Sequence, residues 1–156
     1  MLRALVLGLA LLGGAVAATA QPPAGLDGTV VRVVDGDTIT VRLGERVESV
    51  RYIGVNTPEL ARNGKEEQPG ARQAHAANRR LVEGKRVRLE LDVQSRDRYG
   101  RLLAYVWIAD TMVNAELVRR GFARPATFPP NVRFAGRFAA LAGEAREAAR
   151  GLWSSC

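Results

Sequence analysis

Gly28-Thr29-Val30-Val31-Arg32-Val33-Val34-Asp35-Gly36-Asp37-Thr38-Ile39-Thr40-Val41-Arg42-Leu43 is the stretch that decides the fold. Two runs rich in β-branched residues flank Asp35-Gly36, and such side chains suit a pleated, half-buried surface. In the second run Ile39, Val41 and Leu43 point one way while Thr38, Thr40 and Arg42 point the other, the period-two signature of a strand. Asp-Gly between two such runs is a hairpin signal. The chain therefore opens its folded part as antiparallel sheet.

Working outward, Gly44-Glu45 turns the chain into a third strand over Arg46 to Gly54. A polar loop follows from Leu60 to Gly70. A helix is predicted from Pro69 or Gly70 to Glu83, with Ala74, Ala77 and Leu81 as its apolar stripe and Gly84 as its stop. Arg86 to Asp92 alternates again, with Val87, Leu89 and Leu91 inward. Ser95 to Gly100 is a polar turn, and Arg101 to Ile108 a fifth strand. A short helix over Met112 to Arg120 is closed by Gly121. The last helix is predicted over Asn131 to Arg150, with Phe134, Phe138, Leu141, Ala145 and Ala148 on one face and Gly151 after it. Five strands with a helix between the third and fourth give an α+β protein. The architecture is a five-stranded OB-type β-barrel with about three helices, over residues 28–153.

The N-terminus reads as a targeting segment. Arg3 is followed by an apolar run from Ala4 to Val16 and by Ala18-Thr19-Ala20, a small-x-small cleavage pattern. The run is short for a span of roughly 20 apolar residues. Residues 1–20 are therefore expected to be a signal peptide cleaved after Ala20, with a linker over 21–27. The mature protein is expected to be secreted or periplasmic, without stable membrane association.

The sequence has 23 Lys and Arg against 16 Asp and Glu, a net charge of +7, or +6 without Arg3. A basic excess on a small domain suits a polyanionic partner. Only Lys65 and Lys85 are lysines, and the arginine fork matches phosphate oxygens in a bidentate way. Cys156 is the single cysteine and His75 the single histidine. That excludes an intrachain disulfide, a cysteine zinc site and chemistry needing paired histidines. Catalysis has to come from carboxylates, arginines and a hard cation.

Three clusters carry such groups. Asp35-Gly36-Asp37-Thr38 is either a plain turn or a pair of carboxylates at the mouth of a sheet, oxygen ligation that suits calcium. Arg51-Tyr52-Ile53-Gly54-Val55-Asn56-Thr57-Pro58-Glu59 leaves a strand abruptly. Its functional reading makes Arg51 a phosphate clamp, Asn56 and the Thr57 carbonyl cation ligands, and Glu59 a general base. Asp97-Arg98-Tyr99-Gly100-Arg101 is a tight turn presenting Arg98, Tyr99 and Arg101 at a strand start.

In this order and at these intervals, the clusters resemble the thermonuclease (staphylococcal-nuclease-like, or micrococcal nuclease) family. The resemblance runs from Gly28 through Gly151-Leu152-Trp153. It includes Met112-Val113-Asn114 and Leu117-Val118-Arg119-Arg120-Gly121. It implies a secreted, calcium-dependent endonuclease that hydrolyses DNA and RNA to 3′-phosphate products. One calcium ion would be bound by Asp37 and the Thr57 carbonyl, with Asp35 and Thr38 in support. Glu59 would be the general base, Arg51 and Arg101 the pair on the scissile phosphate, and Tyr99 a phosphate contact with Arg98 beside it. The expected partner is DNA or RNA, preferably single-stranded, and the enzyme is expected to be monomeric.

Two departures from the family pattern bear on function. Asn56 stands where an aspartate ligates calcium in the best-known member, so the ion is expected to bind weakly, because affinity falls with ligand charge. The segment Phe122 to Pro130 offers Phe128 as its stacking aromatic, where family members carry tyrosines. The rival reading is an inert OB-fold nucleic-acid-binding module, which would be expected to lack one of Arg51, Glu59 and Arg101. All three are present.

Overall fold

The computed structural model describes residues 25–154. The signal segment, its cleavage point, residues 21–24 of the linker and Cys156 lie outside the described residues. Eight strands and three helices follow in the order β1 (Leu26–Val33), β2 (Thr38–Leu43), β3 (Arg46–Tyr52), β4 (Val55–Asn56), α1 (Ala71–Val82), β5 (Arg86–Glu90), β6 (Leu102–Ile108), β7 (Thr111–Met112), α2 (Val113–Arg119), β8 (Arg124–Pro125) and α3 (Ala135–Glu147). A 3-10 turn over Gly151–Trp153 ends the fold. Among the described residues no helix is long and apolar enough to cross a membrane.

The larger sheet runs β3-β2-β1-β5-β6-β7, and an additional β3–β6 pairing closes it into a five-stranded barrel. That closure is parallel, with Val50 opposite Leu102, Arg51 opposite Leu103 and Tyr52 opposite Ala104. The other barrel pairings are antiparallel. The expected alternation holds: Ile39, Val41, Val50, Val87 and Leu89 are buried in one core with Tyr52 and Tyr105. Helix α3 covers the core with Phe138, while Phe134 meets the Tyr105 ring edge-on at 4.6 Å between centroids.

Four of the differences from the sequence expectation have a clear physical cause. Strand β1 starts at Leu26, inside the expected linker, because Leu26 and Asp27 pair with Leu89 and Arg88 of β5. The third strand stops at Tyr52, since Gly54 turns with φ of 76° and a Cβ there would meet the Phe138 ring at 2.6 Å. The chain then resumes as β4, paired with β8. Helix α3 begins at Ala135 and not Asn131, because the Asn131 amide is bonded to the Gln94 backbone through both Oδ1 and Nδ2 at 2.8 Å.

Gly36 is the fourth difference. It is not in the left-handed region that an Asp-Gly hairpin turn uses. It is glycine for lack of room: a Cβ would lie 2.5 Å from Thr57 Oγ1 and 2.9 Å from the Ala74 Cβ. The turn packs under the loop after β4 and against α1.

Candidate active site

The parallel β3–β6 pairing sets the site. It places the end of β3, with Arg51, beside the start of β6, which Arg101 immediately precedes. Strand β2 supplies the third side, since Thr38 lies opposite Arg51 in its ladder and Tyr52 N–H donates to the Asp37 carbonyl. The three sequence clusters thus meet at one rim of the barrel. A polar cleft of about 300 Å³ opens there, lined by Asp35, Asp37 and Thr38, by Arg51, Asn56, Thr57 and Glu59, and by Arg101.

Asp37 is the buried centre of this cleft. Its Oδ2 accepts from Thr57 N–H at 2.8 Å and the Thr57 hydroxyl at 3.1 Å, and it lies 3.2 Å from Arg51 Nη2. Its Oδ1 accepts from the Thr38 hydroxyl. Burial pushes the Asp37 carboxyl up to about 6, against the opposing pull of Arg51 and with a further push from Asp35. Asp35 caps the Asp37 N–H, and its carbonyl is held by buried Asn78 of α1, which also accepts from the Tyr52 hydroxyl.

Arg51 is committed to its surroundings. Its Nη1 donates to the Tyr52 and Val55 carbonyls, and its Nη2 to Asn56 Oδ1 at 2.8 Å. Arg101 is held differently, by Asp97 alone: Nε donates to Oδ2 at 2.7 Å and the backbone N–H to Oδ1. Burial alone would raise the Asp97 carboxyl, but the bonds from Arg101 bring it below its usual range. The Glu59 backbone is fixed through Gln68 in both directions, and its exposed carboxylate makes no ion pair among the described residues.

Staphylococcal nuclease homologues form the family whose model matches residues 49–155. The chain belongs to the staphylococcal nuclease family. It is 38% identical over 126 residues to the thermonuclease of Staphylococcus hyicus, covering 81% of this chain and 75% of the relative. It is 43% identical over 105 residues to the thermonuclease of Staphylococcus intermedius, covering 67% and 62%. Endonuclease YncB of Bacillus subtilis is 37% identical over 128 residues, covering 81% and 61%. The chain thus spans three quarters of the first of these relatives and under two thirds of the other two.

Eight of the ten site residues named from the sequence line the cleft of this nuclease-family domain. Arg98 and Tyr99 do not. They sit at its edge, where Arg98 and Arg101 lie 4.8 and 5.5 Å from the centroid of the Tyr99 ring, which is 68% exposed. Phe128, 71% exposed, lines an adjoining cleft of about 350 Å³ that shares Arg51, Asn56 and Arg101 with the first. The supports of that second cleft are not evident from sequence pattern. Arg133 bridges Glu90 and Asp92, and Asn131 grips Gln94, which together hold the Phe128 loop on the end of β5. Asn131 sits where a helix-capping Asn would, so patterning assigns it to α3. Arg62 and Lys65 also line the catalytic cleft; their basic character within the loop Leu60 to Gly70 is the signal that points to them.

The donor set fits a hard cation. Asp37, Asp35, the Asn56 amide and the Thr57 carbonyl offer oxygen only, the ligand type calcium takes. Among the described residues no group of three or more His, Cys, Asp and Glu converges on one point. Two carboxylates with neutral oxygens make a site of low negative charge.

Proposed function

We propose that this nuclease is an exported, calcium-dependent phosphodiesterase that hydrolyses single strands of DNA and RNA to 3′-phosphate products, acting as a monomer. The observation that carries this reading is the meeting of unpaired Glu59 with Arg51 and Arg101 in one cleft beside buried Asp37. The sequence similarity to endonucleases and thermonucleases supports the same chemistry.

Each residue has a physical task. Phosphodiester hydrolysis builds negative charge on the non-bridging oxygens, and guanidinium groups aimed there stabilise it more than they stabilise the ground state. Arg101 has one edge tied to Asp97, which fixes its direction and leaves its terminal nitrogens for the phosphate. Glu59 orients a water for in-line attack on phosphorus and takes its proton; the bond to the 5′ oxygen breaks, and that oxygen leaves as a hydroxyl once protonated. The 2′ hydroxyl takes no part, so both DNA and RNA qualify. Asp37, the Thr57 carbonyl and Asn56 would hold a calcium ion, which would supply added positive charge beside the phosphate. Arg51 Nη2 is shared between Asp37 and Asn56, so these two residues set the direction of its guanidinium towards the cleft.

The test uses the full chain with single-stranded DNA and with RNA, in calcium and then in chelator. Cleavage that needs calcium and falls roughly 10²–10³-fold in Glu59→Ala or Arg101→Ala is expected. Tight binding by the wild type with no cleavage in calcium would favour the inert module. Export is tested separately, by N-terminal sequencing of protein recovered outside the cytoplasm, which is expected to begin at Gln21.

A further inference from the structure

A third depression adjoins the catalytic cleft. It is an open groove of about 830 Å³ that shares the wall Asn56-Thr57-Pro58 with that cleft. Gln73 of α1 lines it together with Phe122, Arg124 and Leu152. The Phe128 cleft adjoins the catalytic cleft through Arg51 and Arg101, and all three depressions meet at Asn56. The catalytic cleft therefore has a neighbour by way of its arginines and another by way of the loop after β4. A strand at the scissile position can therefore continue into the groove as well as into the Phe128 cleft.

The chemistry of the groove suits a phosphodiester backbone. No carboxylate lines it. Its cation is Arg124, exposed and directly opposite Asn56 in the β4–β8 ladder. Among the described residues Arg124 makes no ion pair; its guanidinium rests 5.0 Å from the centroid of the Trp153 ring. An arginine resting on an aromatic face keeps its N–H fork free for an anion, whereas one paired to a carboxylate does not. The volume lies within the range of sites that enclose small organic ligands, so at least one nucleotide fits.

The geometry points to a second strand-binding subsite: the groove takes the backbone of a single-stranded nucleic acid that continues past the scissile phosphate, with Arg124 on a phosphate and Gln73 alongside the strand. This rests on the nuclease reading given above. It makes length a determinant of affinity, since a dinucleotide fills the catalytic cleft without entering the groove.

The test measures binding in chelator, where no cleavage is needed. The full chain is titrated with a labelled single strand near the upper end of the roughly 4–16 nucleotides an OB fold covers, and with a dinucleotide. Gln73 is exposed and can change charge without the loss of a buried contact. Gln73→Arg is expected to tighten the long strand several-fold and Gln73→Glu to weaken it several-fold, with the dinucleotide following neither. Arg124→Ala is expected to lower the salt slope of long-strand binding by about 0.7, one phosphate's share for a single strand. Variants that shift both ligands equally, or neither, overturn the subsite. A wild type that cleaves nothing yet shows this length-dependent response overturns hydrolysis alone. One that cleaves while all variants bind alike overturns the groove alone.

Discussion

Asp37 lies 3.2 Å from an arginine, yet its carboxyl is pushed up to about 6 because burial outweighs that neighbour. The folded state thus holds this proton more tightly than the unfolded chain does. Without cation, stability falls as pH rises from about 4 to about 6, and the loss is complete above that. The penalty is about 3 kcal/mol at neutral pH. Asp37→Asn keeps the hydrogen-bond acceptor for Thr57 and removes the charge. In chelator at neutral pH it is expected to melt several degrees above the wild type, while losing any melting-point rise on calcium addition. Paired thermal melts check this, and a variant that melts lower in chelator would contradict the burial account. Asn56→Asp runs the other way, since it restores a unit charge to the cleft. It is expected to lower the calcium needed for half-maximal cleavage by roughly tenfold. Both residues are legible in the sequence as oxygen donors. The burial that raises the Asp37 carboxyl is not, because it arises from Thr57 and α1 packing over the turn.

The elements are joined by buried side chains as well as by ladders. Asn114 of α2 is fully buried: its Oδ1 accepts from Val106 N–H of β6 and its Nδ2 donates to the Ile53 carbonyl, both at 2.9 Å. It fixes the exit from β3, the link between Arg51 on β3 and Asn56 on β4. Asn114→Ala leaves two buried backbone groups unpaired and is expected to cost about 2–4 kcal/mol, read as a lower denaturant midpoint. Period-two and helical patterns identify these elements well, and Ala74, Ala77 and Phe138 are buried where their stripes put them. They fail where a polar side chain serves a distant backbone. Asn131 looks like a helix start and is instead a clip on Gln94; Gly36 looks like a turn residue and is a packing residue. Local signals carry no term for a partner dozens of residues away.

At the scale of the whole molecule the site exists because the barrel closes. Arg51 and Arg101 are far apart in sequence and become neighbours through the parallel β3–β6 pairing. Alternation alone does not say which strands meet, so the sequence supplies the residues of the cleft and only a family resemblance supplies their convergence. The net charge of +7 also acts at this scale. Strand binding in chelator is expected to weaken steeply with salt. The slope of log affinity against log salt is about −1.4 if Arg98 and Arg101 each meet a phosphate, and about −2 if Arg124 meets a third. A slope near zero would remove the phosphate backbone from the account.

The Arg124–Trp153 stack has an optical consequence. The chain has two tryptophans. Trp107 is pinned by its indole N–H to Glu90 at 2.8 Å, on the β5–β6 pair. Trp153 has guanidinium groups of both Arg124 and Arg146 within about 5 Å of its ring centroid. Cations that close alter indole emission, so a strand that draws Arg124 away changes the colour or brightness of Trp153 while Trp107 stays a constant background. A strand held in the groove as proposed would thus report its own occupancy without a label.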